Sequence, residues 1–200
     1  ANCDDVTTVR IGSDLANRLH GLESRVLDNA GFGSRQATRK FLRWVREYDP
    51  DVIWLHNLHG YYLHVGELFS YLRTCGKEIH WTLHDCWAFT GHCAYFDYVG
   101  CEKWKTGCHD CPQKGTYPDS ILADNSRKNY LRKRALFTGI PNLTLTVPSR
   151  WLEGRVKESF LKDYPIEVIY NQVDKSIFRP TPGDFREKYQ LENKIIILGV

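Results

Sequence analysis

The chain has 200 residues, a formal net charge of +3, 42% hydrophobic residues and 13% aromatic residues. This length and composition predict a globular, enzyme-type domain with a packed core. The charge is too small to indicate a nucleic-acid-binding protein. No apolar run approaches the roughly 18 residues of a membrane span, so we expect a soluble chain.

The first third of the chain predicts two helices between strands. Alternating apolar residues predict a strand over 6–11, and leucines at helical spacing predict a helix over 14–28. Ser34 is a suitable N-cap for a second helix, which ends at Asp49-Pro50. Residues 51–56 are mostly apolar between turn residues, as expected for a buried parallel strand.

The remainder continues to alternate between helices and strands. Helices are predicted over 62–74, 124–137 and 149–160, and strands over 78–84, 143–147 and 166–170. This order predicts an α/β fold with a parallel, Rossmann-like sheet and helices on both faces. A Thr-Pro-Gly connector, a helix over 184–189 and a strand over 195–200 then follow. We therefore expect one domain over 1–180, with a Cys-rich loop at 86–113, and the start of a second domain over 181–200.

Five of the seven cysteines lie in that loop. Cys93, Cys101, Cys108 and Cys111 comprise one chelating C-x-x-C pair and two further thiols, enough for a tetrahedral zinc site. We expect structural zinc, because the loop has little core of its own and an odd cysteine count fits a reducing compartment. Two disulfides, free thiols and a thioredoxin-like Cys108–Cys111 redox pair are alternatives. The reserve ligands are Cys86, His92 and His109.

Polar residues follow the predicted strands at the edge where doubly wound sheets bind ligands. These residues are His56, Asn57, His59, His84, Asp85 and Ser149. His56 is equally consistent with a buried core residue, and Ser149 with a helix N-cap. No serine lies in a nucleophile-elbow pattern, which disfavours a hydrolase triad around His84-Asp85. No G-x-G-x-x-G follows a strand, which disfavours a dinucleotide-binding enzyme.

Four motifs in this order carry a family resemblance. They are Asp-Val-Ile-Trp-Leu-His-Asn-Leu-His-Gly at 51–60, the His-Asp to Cys-Pro-Gln stretch at 84–113, Val-Pro-Ser-Arg-Trp-Leu at 147–152, and Val-Ile-Tyr-Asn-Gln-Val-Asp with Phe-Arg-Pro at 168–180. Together they resemble the N-terminal domain of bacterial family 4 glycosyltransferases, in the branch that builds capsular and colanic-acid-like surface polysaccharides. One departure is Gln172, where the family usually has glycine.

The resemblance implies a GT-B fold of two Rossmann-like domains and retaining, hexosyl-type transfer. The donor would be a UDP- or GDP-sugar, and the acceptor a growing glycan or lipid-linked glycan. His84 would face the donor sugar as the catalytic residue, while Asn57, His59, Asp85 and Ser149 would contact substrate. No catalytic metal is expected. The chain would lack the Gly-rich first loop and most of the donor-binding domain, and would therefore be inactive alone.

A basic run occupies the predicted helix at 124–137. Arg127, Lys128, Arg132, Lys133 and Arg134 form either a solvated helix face or a surface for anionic lipid. The lipid interpretation fits a cytoplasmic enzyme, peripheral at the inner face of the membrane. A second hypothesis for the whole chain is a zinc-organised module that binds protein or nucleic acid through the Cys-rich loop and this helix.

Overall fold

A computed structural model of the protein describes residues 6–197. The chain divides into two compact units, Ala1–Tyr170 and Asn171–Val200. The first unit contains α1 (Asp14–Leu27), α2 (Arg35–Tyr48), β1 (Val52–Leu55), α3 (Val65–Leu72), β2 (Glu78–Thr82), α4 (Ser126–Phe137), β3 (Leu143–Val147), α5 (Arg150–Lys157) and β4 (Ile166–Val168). The second unit contains α6 (Phe185–Lys188).

The strands of the first unit form one parallel sheet in the order β1-β2-β3-β4. Leu55 at the end of β1 lies opposite Trp81 in β2, and Thr82 lies opposite Thr146 in β3. The α/β, Rossmann-like fold inferred from the sequence is therefore confirmed. Because all strands run in one direction, the residues that follow β1, β2 and β3 emerge at the same edge of the sheet.

An aromatic cluster joins the sheet to the helices packed on it. The Phe69 ring of α3 lies 4.3 Å from the Phe137 ring of α4, centroid to centroid, and both rings lie 5.1 Å from Trp81 of β2. All three side chains are buried. Rings of this size bury large apolar areas, so this cluster fixes β2 and the residues at its end.

The sequence predicts that helix α1 packs its leucine face on the core, but the structure buries the other, polar face. Leu15, Leu19 and Leu22 are exposed, whereas His20 and Ser24 are buried. His20 accepts a hydrogen bond at Nε2 from the Gly33 N–H at 3.0 Å, and its Nδ1 lies 2.9 Å from Ser34 Oγ. These bonds anchor the polar side of α1 to the chain before α2.

Three further predictions of local structure need correction. Residues 6–11 form no strand, because no neighbouring strand pairs with them among the described residues. Ser34 precedes α2 in a left-handed conformation, and its side chain makes no cap bond because it contacts His20 instead. Residues 195–197 of the last predicted strand are not in a strand, and residues 198–200 lie outside the described part.

The Cys-rich loop has a core of its own, contrary to expectation. Its three 3-10 turns span Trp87–Phe89, Asp97–Val99 and Lys103–Lys105. Phe96 stacks on Trp104 at a centroid distance of 4.6 Å, and Phe89 lies 5.5 Å from Trp104. All three rings are buried, so apolar packing orders the loop.

Candidate functional site

Two histidines meet at the ends of β1 and β2. His56 Nδ1 lies 3.0 Å from His84 Nε2, and the rings stack with centroids 5.4 Å apart. Both side chains are exposed, so His56 is not the core residue considered from the sequence. A bond between two ring nitrogens requires one donor and one acceptor, which fixes complementary tautomers in the pair.

The pairing affects the ionisation of His56. Its partial burial and the neighbouring His84 both hold the pKa of His56 below its usual 6.5. A neutral His56 offers one ring nitrogen as an acceptor. The bond between the rings occupies His56 Nδ1 and His84 Nε2, so His84 Nδ1 is available for a hydrogen bond to a ligand.

A second network surrounds Asp85, directly after His84. Asp85 Oδ2 lies 3.0 Å from His59 Nε2, and Asp85 Oδ1 accepts the Trp87 N–H at 2.8 Å. The other ring nitrogen of His59, Nδ1, lies 3.1 Å from the Tyr117 hydroxyl. Asp85 therefore orients His59 within the second network.

Asp85 is ionised in this environment. Burial alone would raise the pKa of Asp85, but the His59 hydrogen bond, the His59 charge and the Trp87 N–H together hold it below its usual 3.8. A carboxylate that accepts two such bonds holds the turn after β2 and the imidazole of His59 in one geometry.

Asn57, His59, His84 and Asp85 line one cleft at this edge, together with Trp87. Four of the polar residues predicted from the sequence are thus brought together. Ser149 does not line this cleft; it is the N-cap of α5, where its hydroxyl accepts the Leu152 N–H at 3.2 Å.

Tyr117 and the pairing of His56 with His84 were not identified from the sequence. Tyr117 lies 58 residues from its partner His59, and no local pattern marks it. The pairing of His56 with His84 follows from parallel strand register: Leu55 lies opposite Trp81, so the residues that follow the two strands come together. Knowledge of that register would have been enough to find the pair.

A larger open groove lies between α2 and α3 and is lined by Arg39, Arg43 and Arg46 beside Glu67. Arg39 already forms a bidentate pair with Glu67, at 2.9 and 3.0 Å. We place the functional site at the strand ends instead, because four of the polar residues predicted from the sequence line one cleft there.

The cysteines form a separate cluster. Cys93, Cys101, Cys108 and Cys111 line one cleft, together with His92. Every described cysteine is a free thiol. Cys93 and Cys111 are hydrogen-bonded to each other. This bond and a second one from the Gln113 N–H lower the pKa of Cys111 to about 7, although burial acts in the opposite direction. Burial raises the pKa of Cys108 to about 11.

Helix α4 contributes a buried cation next to this cluster. Lys133 was predicted to be part of a basic surface, but only 1% of it is exposed. Its Nζ donates to the Trp87 and Thr90 carbonyls at 2.8 and 3.2 Å. Burial lowers the pKa of Lys133 to about 7, although Asp28 and the neighbouring thiols oppose this shift. Arg132 is also withdrawn from solvent and lies 3.6 Å from the Phe32 ring centroid.

A comparison with curated proteins identifies one relative. Over 100 residues the chain is 41% identical to the protein assigned as the colanic acid biosynthesis glycosyl transferase WcaC of Escherichia coli (strain K12). The match covers 46% of this chain and 23% of WcaC, so the chain spans about a quarter of that relative. The resemblance to a glycosyltransferase of this branch is therefore confirmed over part of the chain.

No family model and no solved structure matches the chain. No helix in the described range 6–197 has the length and apolar character needed to cross a membrane.

Proposed function

We propose that the chain forms the acceptor-side domain of a retaining glycosyltransferase. The enzyme would move a hexosyl group from a UDP- or GDP-sugar to a growing glycan, in the assembly of a surface polysaccharide. The pairing of His84 with His56 in a cleft at the sheet edge carries this proposal. The similarity to a glycosyl transferase supports it and favours an enzyme over an interaction module.

His84 is proposed as the residue that faces the donor sugar. Its ring is exposed and oriented by His56, and its Nδ1, which the His56 bond does not use, would form a hydrogen bond with a sugar hydroxyl. In retaining transfer, the bond from C1 to the diphosphate oxygen breaks and a bond from C1 to the acceptor oxygen forms. The acceptor proton passes to the departing diphosphate. Preorganised polar groups lower this barrier, and the mechanism requires no catalytic metal.

The other polar residues of the cleft are proposed to bind substrate. His59, held by Asp85 and Tyr117, and Asn57, which also lines the cleft, would contact the acceptor. Asn57 adopts a positive φ of 43°, which asparagine tolerates better than most residues. Ser149, which lies outside this cleft, accepts a bond from its own helix and would donate its hydroxyl hydrogen to a part of the substrate that extends beyond the cleft.

The surroundings of the enzyme are proposed on the same basis. A lipid-linked glycan acceptor would place the protein in the cytoplasm, at the inner face of the membrane. Arg127, Lys128 and Arg134 are exposed on α4 and could contact anionic lipid, whereas Lys133 is buried. The groups that hold the donor diphosphate would come mostly from a second domain that begins at residue 181.

A transfer assay tests the proposed reaction. A protein that contains this chain together with the complete donor-binding domain is incubated with UDP- and GDP-sugars and lipid-linked acceptors. We expect a glycosidic product whose anomeric configuration, read by NMR, matches that of the donor. A product of inverted configuration would contradict the retaining mechanism, and the absence of transfer from any nucleotide sugar would contradict the proposed function.

A further inference from the structure

The four thiols of the Cys-rich loop come from separate turns and converge on one cleft. Cys93 follows the first 3-10 turn, Cys101 follows the second, and Cys108 and Cys111 follow the third. We propose that these four cysteines bind one zinc ion as thiolates, in a site independent of the sugar-transfer cleft. Four sulfur ligands in tetrahedral geometry are typical of structural zinc sites.

The backbone around the thiols is arranged to stabilise thiolates. The Gly91 N–H donates to the Cys108 sulfur, and the Gln113 N–H donates to the Cys111 sulfur. The Cys111 N–H donates to Asp124 Oδ2 at 2.6 Å, which fixes the backbone of the C-x-x-C pair. Hydrogen bonds of this kind orient metal ligands and stabilise their negative charge.

Gly91 is needed for this arrangement. A Cβ at Gly91 would collide with the Ser126 carbonyl and would lie 2.7 Å from Cys108 Cβ. The absence of a side chain therefore lets the loop pack closely against the start of α4 and brings the Gly91 N–H to the sulfur.

Two buried basic side chains beside the cluster support a negatively charged occupant. Lys133 is fully buried, its Nζ lies 3.4 Å from the Trp87 ring centroid, and none of the ion pairs found in residues 6–197 includes it. A buried cation is costly unless negative charge lies near it. Four thiolates and one Zn²⁺ carry a net charge of about minus two and would supply that charge.

His92 gives an independent indication of an occupant. Its Nδ1 lies 2.6 Å from Asp28 Oδ1, and both side chains are buried. Its other nitrogen, Nε2, is buried without a hydrogen-bond partner, and His92 lines the thiol cleft. A metal-bound Cys111 thiolate is an acceptor that would satisfy an Nε2–H group.

Zinc binding requires the thiol side chains to close around the ion. In the part of the chain that the structure describes, no three His, Cys, Asp or Glu side chains already form a metal site. Binding releases protons, because Zn²⁺ replaces the four thiol protons and forms four Zn–S bonds. A Cys93–Cys111 disulfide, the main competing state, would need an oxidant and would leave Cys101 and Cys108 without a role.

Metal analysis of the chain tests this proposal. Protein prepared in reductant and loaded with zinc should retain about one equivalent after removal of free metal. Cys108→Ser and Cys101→Ser should each reduce this content severalfold. Cys75→Ser is the matched control, because Cys75 bonds to Leu72 O and lies outside the cluster.

A second measurement covers variants that fail to fold. Cobalt loaded into the unaltered chain should give strong thiolate-to-metal charge-transfer absorption, and a chelator should abolish it while exposing four additional reactive thiols. A folded chain that holds no zinc or cobalt would overturn the proposal. Equal metal loss in Cys75→Ser and Cys108→Ser, or intact disulfides in the zinc-loaded protein, would also overturn it.

Discussion

His56 and His84 are joined by a hydrogen bond of 3.0 Å between ring nitrogens at the ends of two adjacent parallel strands. This bond couples the protonation of the two rings, because both nitrogens cannot carry a proton in it. It also gives His84 a single orientation while leaving its ring exposed. The first prediction concerns this coupling.

The pKa of His56 should lie below 6.5, because burial and the neighbouring His84 both lower it. The His84→Gln substitution removes the second of these causes and should therefore raise the pKa of His56. A histidine with a depressed folded-state pKa resists protonation in the folded protein. Lowering the pH below 6.5 should therefore reduce stability, and His84→Gln should lessen this loss. Ring NMR signals measure both pKa values. An unchanged His56 pKa in His84→Gln would contradict the coupling.

Asp85→Asn should destabilise the first unit by about 1–3 kcal/mol at neutral pH, because it leaves His59 and the Trp87 N–H with a weaker partner. The pKa of Asp85 is depressed below 3.8, so its contribution is present above that pH and is lost as the pH falls through the folded-state value. The difference from the unaltered protein should shrink in acid, as measured by urea unfolding. Asp163→Asn, at an exposed site, is the control. Equal effects of both substitutions at neutral pH would contradict this role for Asp85.

Charge reversal at two neighbouring basic residues of α4 should change the stability of the protein by very different amounts. Lys133→Glu places a carboxylate against two carbonyls in a buried site and should cost about 3–5 kcal/mol. Arg134→Glu, at an exposed position, should change stability by about 0.5 kcal/mol or less. Thermal or urea unfolding of the two variants provides the measurement. Similar stabilities would show that Lys133 lies at the surface.

The exposed part of the basic run should bind anionic vesicles. Replacing Arg127, Lys128 and Arg134 by glutamate should weaken binding to phosphatidylglycerol vesicles by about 1 kcal/mol per residue, and added salt should have a similar effect. Arg132 and Lys133 are left unchanged, because Arg132 is only partly exposed and contacts the Phe32 ring, and Lys133 is buried. Vesicle binding that does not depend on these charges or on salt would contradict contact between α4 and anionic lipid, and the basic residues would then be a solvated helix face.

Strands and the residues at their ends could be predicted from the sequence, because the pattern that marks them lies in consecutive residues. Strand β3 matches its predicted bounds, and His59, His84 and Asp85 were correctly placed at strand ends, because short apolar runs and turn residues define a parallel sheet. These signals depend only on neighbours along the chain.

Other features depend on contacts that periodicity does not encode. The leucines of α1 have helical spacing, yet the hydrogen bond that His20 accepts from the Gly33 N–H and the contact of His20 with Ser34 hold the opposite side of the helix inward. Lys133 belongs to a charged run, but the neighbouring carbonyls and the Trp87 ring hold it in the interior. In each case a specific tertiary contact overrides the average preference of the residue type.

The turnover of a His84→Ala enzyme tests the central claim most directly. In a protein with the complete donor-binding domain, the account predicts that kcat for sugar transfer falls by orders of magnitude while unfolding stability changes little, since His84 is exposed and acts on the reacting sugar. His80→Ala, in strand β2 at a position that does not line the cleft, should retain most of the activity. Near-normal turnover in His84→Ala, or a loss of folding that accounts for the loss of rate, would contradict a catalytic role for His84.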